Sequence, residues 1–295
     1  MAIAGMPAEA FAHETSGVPS LATAWSPSPW LLLPLACTVA LYLVGLLRLW
    51  RQAGVGHGVS RAEAGAFAAG IVTLCLAMLW PLDALGEWSL AAHMAQHMLL
   101  LAFVPPLLLA GRPAAVMAHA LRRGWAHRLH AFAMPLWLRL STALGAATVL
   151  HSAVMWAWHL PAATAAALAS DVVHWAMHAS FLLAGLWFWA AVWRRLRDPD
   201  TGAGGGALAL LAVMMQMGLL GGLLTFAPRP LYADYVQRAP AIGLEVMADQ
   251  QLAGLLMWVP SGLPYLVGGL WLLYRGLARL ERPAPAVPAS RNDTP

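Results

Sequence analysis

Seven runs of about twenty mostly apolar residues dominate this chain, at 30–49, 62–82, 88–110, 140–160, 171–193, 207–226 and 245–274. A run of that length is what an α-helix needs to cross the hydrocarbon of a bilayer. The runs are rich in Leu, Ala, Met and Trp and lack strict alternation, which argues against strands. Only 10% of the 295 residues are charged, against about 25% in a soluble domain. So few charges cannot cover a water-soluble surface, and the hydrophobic content excludes disorder. Cys37 and Cys75 are the only cysteines, which excludes a disulfide scaffold. The expected fold is an all-α polytopic membrane bundle with seven transmembrane helices.

All 17 basic residues are arginine, and they sort between the runs. Arg48, Arg51 and Arg61 bracket the link from the first to the second span. Arg112, Arg122, Arg123, Arg128 and Arg139 fill the third link, and Arg194, Arg195 and Arg197 follow the fifth span. Arg275, Arg279, Arg282 and Arg291 follow the seventh, whereas only Arg229 and Arg238 fall on the opposite side. The positive-inside rule then places the N-terminus outside and the C-terminus in the cytoplasm. The chain divides into an extracytoplasmic segment 1–29, a seven-helix domain 30–275 and a disordered cytoplasmic tail 276–295. The link 112–139 reads as an amphipathic helix lying on the anionic lipid surface. Gly202 to Gly206 reads as a flexible loop. The basic balance is a topological code and does not point to nucleic acid.

With 11 residues, histidine is nearly as frequent as Asp plus Glu, at 13. The arginine code puts six of these histidines in the outer half of the membrane. His93 and His97 lie about 8 and 14 Å below the outer end of the third span, at 1.5 Å per residue. Their i,i+4 spacing puts them on one helix face. His174 and His178 repeat the arrangement on the fifth span, with Asp171 on the same face. His151, Met155 and His159 form a stripe on the fourth, and Asp249 sits one turn into the seventh. Two His pairs on separate helices offer four imidazoles to one or two metals. Imidazole with nearby thioether suits copper, while imidazole alone also suits zinc or iron. Asp249 or Asp171 would ligate or orient a ring. The bland alternative is interhelical hydrogen bonding by histidine, to Ser, Thr or backbone. If the chain were cleaved after Ala12, His13 would become a terminal ligand.

Several blocks resemble one family. His93-Met94-Ala95-Gln96-His97-Met98-Leu99-Leu100, followed by Pro105-Pro106, looks like the third span of the CtaG family of cytochrome c oxidase assembly factors. Trp158-His159-Leu160-Pro161 and the stretch from His174 through Trp189 are similar to its fourth and fifth spans. The run Asp249-Gln250-Gln251-Leu252-Ala253-Gly254, continuing to Pro260, is similar to its seventh. Tyr232 and Tyr235 also fit. The resemblance runs in order from about residue 28 to 275. It implies a plasma-membrane protein that helps to mature haem-copper oxidase, by assisting copper insertion into the catalytic subunit.

The resulting expectation is a non-enzymatic assembly factor. His93, His97, His174 and His178 would be core copper ligands, with His159 and Asp249 auxiliary. Copper would be bound transiently, arrive from an extracytoplasmic donor, and pass to the cytochrome c oxidase catalytic subunit. Two rivals use the same histidines. A haem-binding membrane oxidoreductase would show a Soret band. A copper permease would need polar groups continuing into the cytoplasmic half, where few are found.

Overall fold

The computed structural model describes residues 18, 20, 22–198 and 202–280. Among these residues the regular elements are helices, with no strand. The N-terminal segment through residue 17, with His13, and the tail 281–295 lie outside the described residues. Three spans follow the apolar runs closely: α1 (Pro29–Ala53), α2 (Arg61–Met78) and a composite third span over Leu90–Ala110. That third span is made of α4 (Leu90–Met98), a π-helical segment (Leu99–Phe103) and α5 (Val104–Ala110). Pro105 and Pro106 explain the π segment. Proline lacks an N–H and crowds the preceding turn, so the ladder must widen there. A carbonyl freed in this way, that of Leu101, lies 3.5 Å from the Tyr265 hydroxyl.

The short α3 (Leu82–Gly86) joins the second and third spans, and α6 (Pro113–Ala120) follows the third. The fourth span departs from expectation. The run 140–160 is broken at Ala143, whose backbone leaves the helical region at φ −80° and ψ 56°. A helix α7 (Arg123–Thr142) meets α8 (Leu144–Trp158) there at 78°. With 15 residues, α8 rises about 22 Å, short of the ~30 Å hydrocarbon. Apolar residues continue through the break, so hydropathy does not register it. Backbone accounting does. The Thr142 hydroxyl bonds the Leu138 and Arg139 carbonyls, and Arg195 reaches over to the Ser141 and Thr142 carbonyls. The end of α7 is thereby satisfied without continuing as helix.

The remaining elements are α9 (Pro161–Ala169), α10 (Asp171–Arg197), α11 (Ala203–Phe226), α12 (Ala233–Ala241) and α13 (Val246–Leu280). Six helices are long and apolar enough to cross a membrane, and the bent α7–α8 pair would make a seventh span. The stretch expected as a glycine loop is mostly the first turn of α11. Gly206 there lies against the side chains of Leu272 and Arg195, so packing holds a turn that glycine composition disfavours. The last helix runs six residues past the expected limit of 274, through Leu280. α11 and α13 pack most extensively, and a Cβ on Gly221 would lie 2.7 Å from the Gly254 carbonyl oxygen. Small residues allow that backbone approach between spans. Large apolar side chains such as Leu33, Val149 and Leu183 remain well exposed, a surface suited to lipid. The chain is a multi-pass membrane protein.

The two ends of the bundle are closed differently. At the arginine end, Arg48 donates to the His119 and Ala120 carbonyls, and Arg112 to that of Gly58. At the opposite end α12 straps across the helix junctions. The Tyr235 hydroxyl donates to the Gly86 carbonyl at 2.7 Å and that of Tyr232 to the His159 carbonyl at 2.7 Å. Burial pushes both phenols up, so they stay protonated donors. Arg238 adds a bond to the Glu87 carbonyl.

Candidate metal centre

The site is framed by a helix start that another span caps. The first N–H groups of α4 lack intrahelical partners. Asp249, near the start of α13, takes them: its carboxylate accepts from Leu90 N–H at 2.7 Å, Ala91 N–H at 3.2 Å and the Ser89 hydroxyl at 2.6 Å. A buried anion at a helix N-terminus is favourable on both hydrogen-bonding and dipole grounds. Of the two roles expected of Asp249, ligating or orienting, these bonds are of the orienting kind. Both its oxygens are occupied in fixing where α4 begins, and hence where the histidines of α4 sit. Gln250 works beside it, accepting from Leu231 N–H at 2.7 Å and donating towards the Leu224 carbonyl.

Five of the six histidines expected in the outer half come together as one contiguous group. Ring centroids of His93 and His97 are 4.3 Å apart on α4, and those of His174 and His178 are 4.3 Å apart on α10. Between helices, His93 lies 6.3 Å from His174 and His97 lies 5.9 Å from His178. His159, at the end of α8, lies 5.5 Å from His97. His151 is not part of the group. Its Nε2 lies 3.1 Å from the Tyr265 hydroxyl and its ring stacks near Phe188.

A sixth member is Asp83 on α3, which sequence reasoning passed over. Its carboxylate is 3.5 Å from His174 Nε2 and accepts from Gln96 Nε2 at 2.9 Å. Gln96 also donates to the Ala77 carbonyl at 2.8 Å, so the third span positions the acid. Burial pushes the Asp83 carboxyl up, but the hydrogen bond from His174 and the nearby His178 outweigh it and hold the group below its ordinary value. Asp171, expected beside His174, stays exposed at the start of α10. Asp83, His174 and His178 each present a ligand atom, all within 4.8 Å of one another. Tetrahedral bonds of about 2.0–2.1 Å place donors about 3.3 Å apart, so small side-chain rotations close the gap.

The donors themselves are chemically prepared. His159 Nδ1 lies 2.6 Å from the Met155 carbonyl. A carbonyl only accepts, so Nδ1 carries the proton and Nε2 keeps its lone pair. That Nε2 is buried without a hydrogen-bond partner, as are both ring nitrogens of His93, His97 and His178. An unpaired buried polar atom costs about 1–3 kcal/mol. Each neutral ring keeps one lone pair, so these four rings offer four nitrogen donors, a set suited to a metal ion. The imidazole and carboxylate set fits copper, zinc or iron.

Fold and site together define a multi-pass helical membrane protein with a histidine-rich centre near one end of its bundle. The model of the cytochrome c oxidase caa3 assembly factor family, CtaG, matches residues 40–279, most of the chain and all of the site. The protein belongs to that family of cytochrome c oxidase assembly factors. No curated protein and no solved structure matches it.

Proposed function

We propose that this protein assists maturation of a haem-copper oxidase by holding copper at the histidine centre and passing it to the catalytic subunit. The observation that carries the reading is the group of buried imidazole nitrogens without partners, gathered from α4, α8 and α10. In a chain with so few polar groups, leaving them unused is expensive, and a metal is the partner that uses several at once. His93, His97, His159, His174, His178 and Asp83 are the donors, while Asp249, Gln96 and the Met155 carbonyl hold donors in place. Copper is cargo here and no turnover chemistry is required, so the protein acts as a metallochaperone. The arginine distribution supports a periplasmic or extracellular site in a bacterial plasma membrane, with the C-terminus cytoplasmic. An extracytoplasmic copper donor would then load it. The permease reading has less support, because beyond the cluster Phe181, Phe188 and Trp189 are buried side by side with the core.

The test is complementation. A strain lacking the gene should lose oxidase activity and regain it with the wild-type protein. The variant His93→Ala/His97→Ala/His174→Ala/His178→Ala, inserted at equal level, should leave activity at the vector baseline. Full rescue by that variant would overturn the proposal.

A further inference from the structure

The centre has more donors than one ion needs, and they differ in kind from one side to the other. Four ligands complete a tetrahedral site, whereas five imidazoles and a carboxylate converge here. Asp83 and His174 are 20% and 17% exposed, more than any other member of the group. His93 and His97 are fully buried and His159 is 4% exposed. The exposed side includes an oxygen donor. The buried side is all imidazole: its rings lie 4.3 Å (His93–His97) and 5.5 Å (His97–His159) apart, and they must turn towards one another to share an ion, whereas the ligand atoms of the exposed set already lie within 4.8 Å. His178 belongs to both sides, because it lies within ligand distance of Asp83 and His174 and its ring is also 5.9 Å from His97. Neither of its nitrogens has a hydrogen-bond partner.

Building on the copper-holding reading, we propose that the centre is two successive metal positions. The outer one is formed by Asp83, His174 and His178. The inner one is formed by His93, His97 and His159, and His178 hands the ion between them.

The separation follows from coordination chemistry. A harder carboxylate with partial water access accepts a hydrated ion and exchanges it readily, while a buried nitrogen set holds an ion that has shed its water. Passage between the two breaks one dative bond for each one formed. No electron moves and the oxidation state of copper is unchanged. His159 suits the inner position because its proton is committed to the Met155 carbonyl, which leaves Nε2 as a ready donor. Asp83 suits the outer position because Gln96 fixes it from the side away from water.

Anaerobic Cu(I) titration of the full chain in detergent against a chromophoric chelator tests this. Wild type should take up two equivalents. Asp83→Asn/His174→Asn should keep one, His97→Asn/His159→Asn should keep one, and the fourfold variant should keep none. Asparagine at 159 retains an amide donor for the Met155 carbonyl, and circular dichroism with a melting curve confirms the fold. The single Asp83→Asn retains an acceptor for Gln96, and should weaken one equivalent by about tenfold or more while sparing the other. Cu(II) added as an electron-paramagnetic-resonance probe should give a signal with oxygen and nitrogen donors that Asp83→Asn/His174→Asn alone removes. A single equivalent in wild type, or loss of all copper in either pair variant, would overturn the two-position proposal but leave copper holding intact. No copper in wild type would overturn the copper reading itself.

Discussion

The arginine end and the histidine end of this bundle use their polar side chains in opposite ways. At the arginine end Arg48, Arg112 and Arg195 find backbone carbonyls, while Arg128, Arg197 and Arg275 lie over tryptophan rings. Arg48 bonds His119 and Ala120, Arg112 bonds Gly58, and Arg195 bonds Ala191, Ser141 and Thr142. These bonds tie helix ends together and leave the side chains no further task. At the histidine end the tyrosines of α12, Asp249 and Gln250 do comparable structural work. The imidazoles of His93, His97 and His178 do none of it. A polar group that pairs with backbone is holding the fold together. A cluster of buried unpaired imidazoles, at a cost of about 1–3 kcal/mol for each unpaired group, is what a site that takes up a ligand would need.

That contrast can be broken from either side. The largest effect belongs to the histidines: the fourfold His93, His97, His174 and His178 alanine variant should abolish oxidase maturation yet melt no lower than wild type stripped of metal, because few structural bonds are lost. A drop of more than a few degrees would mean that the rings are structural after all. Next comes Asp249→Ala. It strips partners from two buried N–H groups and a hydroxyl at the start of α4, so the protein should lose about 3 kcal/mol of stability. That corresponds to a fall of about 6–12 °C in melting temperature, while the fraction that remains folded should still bind copper. Copper loss without destabilisation would instead make Asp249 a ligand. The smallest effect belongs to Arg48→Ala. It removes exposed charge-assisted bonds worth at most about 1 kcal/mol, and neither copper content nor oxidase activity should change. Altered copper binding in that variant would show that the two ends are coupled.

Six spans were legible because each carries its own signal, a continuous apolar run, whereas the fourth run concealed a bend. The histidine pairs were legible because i,i+4 spacing is a local property of a helix. The features that escaped depend on partners distant in sequence. Asp83 looks like an ordinary acid in a short connector, and only the fold sets it beside His174 and under Gln96. A clue was present in its position, an acid in the same inter-span link side as the histidines of a chain with 13 acidic residues in all. Asp249 offered the opposite lesson. Its place one turn into a span suggested a ligand or an orienting group, and the N–H groups it caps, 158 and 159 residues away, are visible only in the fold. The break at Ala143 and the π segment before Pro105 are backbone events inside apolar sequence. Hydropathy averages over both.

The claim that the unpaired imidazoles exist to hold metal is tested most directly by elemental analysis. Wild type, Arg48→Ala and the fourfold His93, His97, His174 and His178 alanine variant would be purified in parallel from copper-replete cells, and copper per chain measured by mass spectrometry. The account predicts equal copper in wild type and Arg48→Ala and none in the fourfold variant, with all three folded. Equal copper in all three proteins would contradict it.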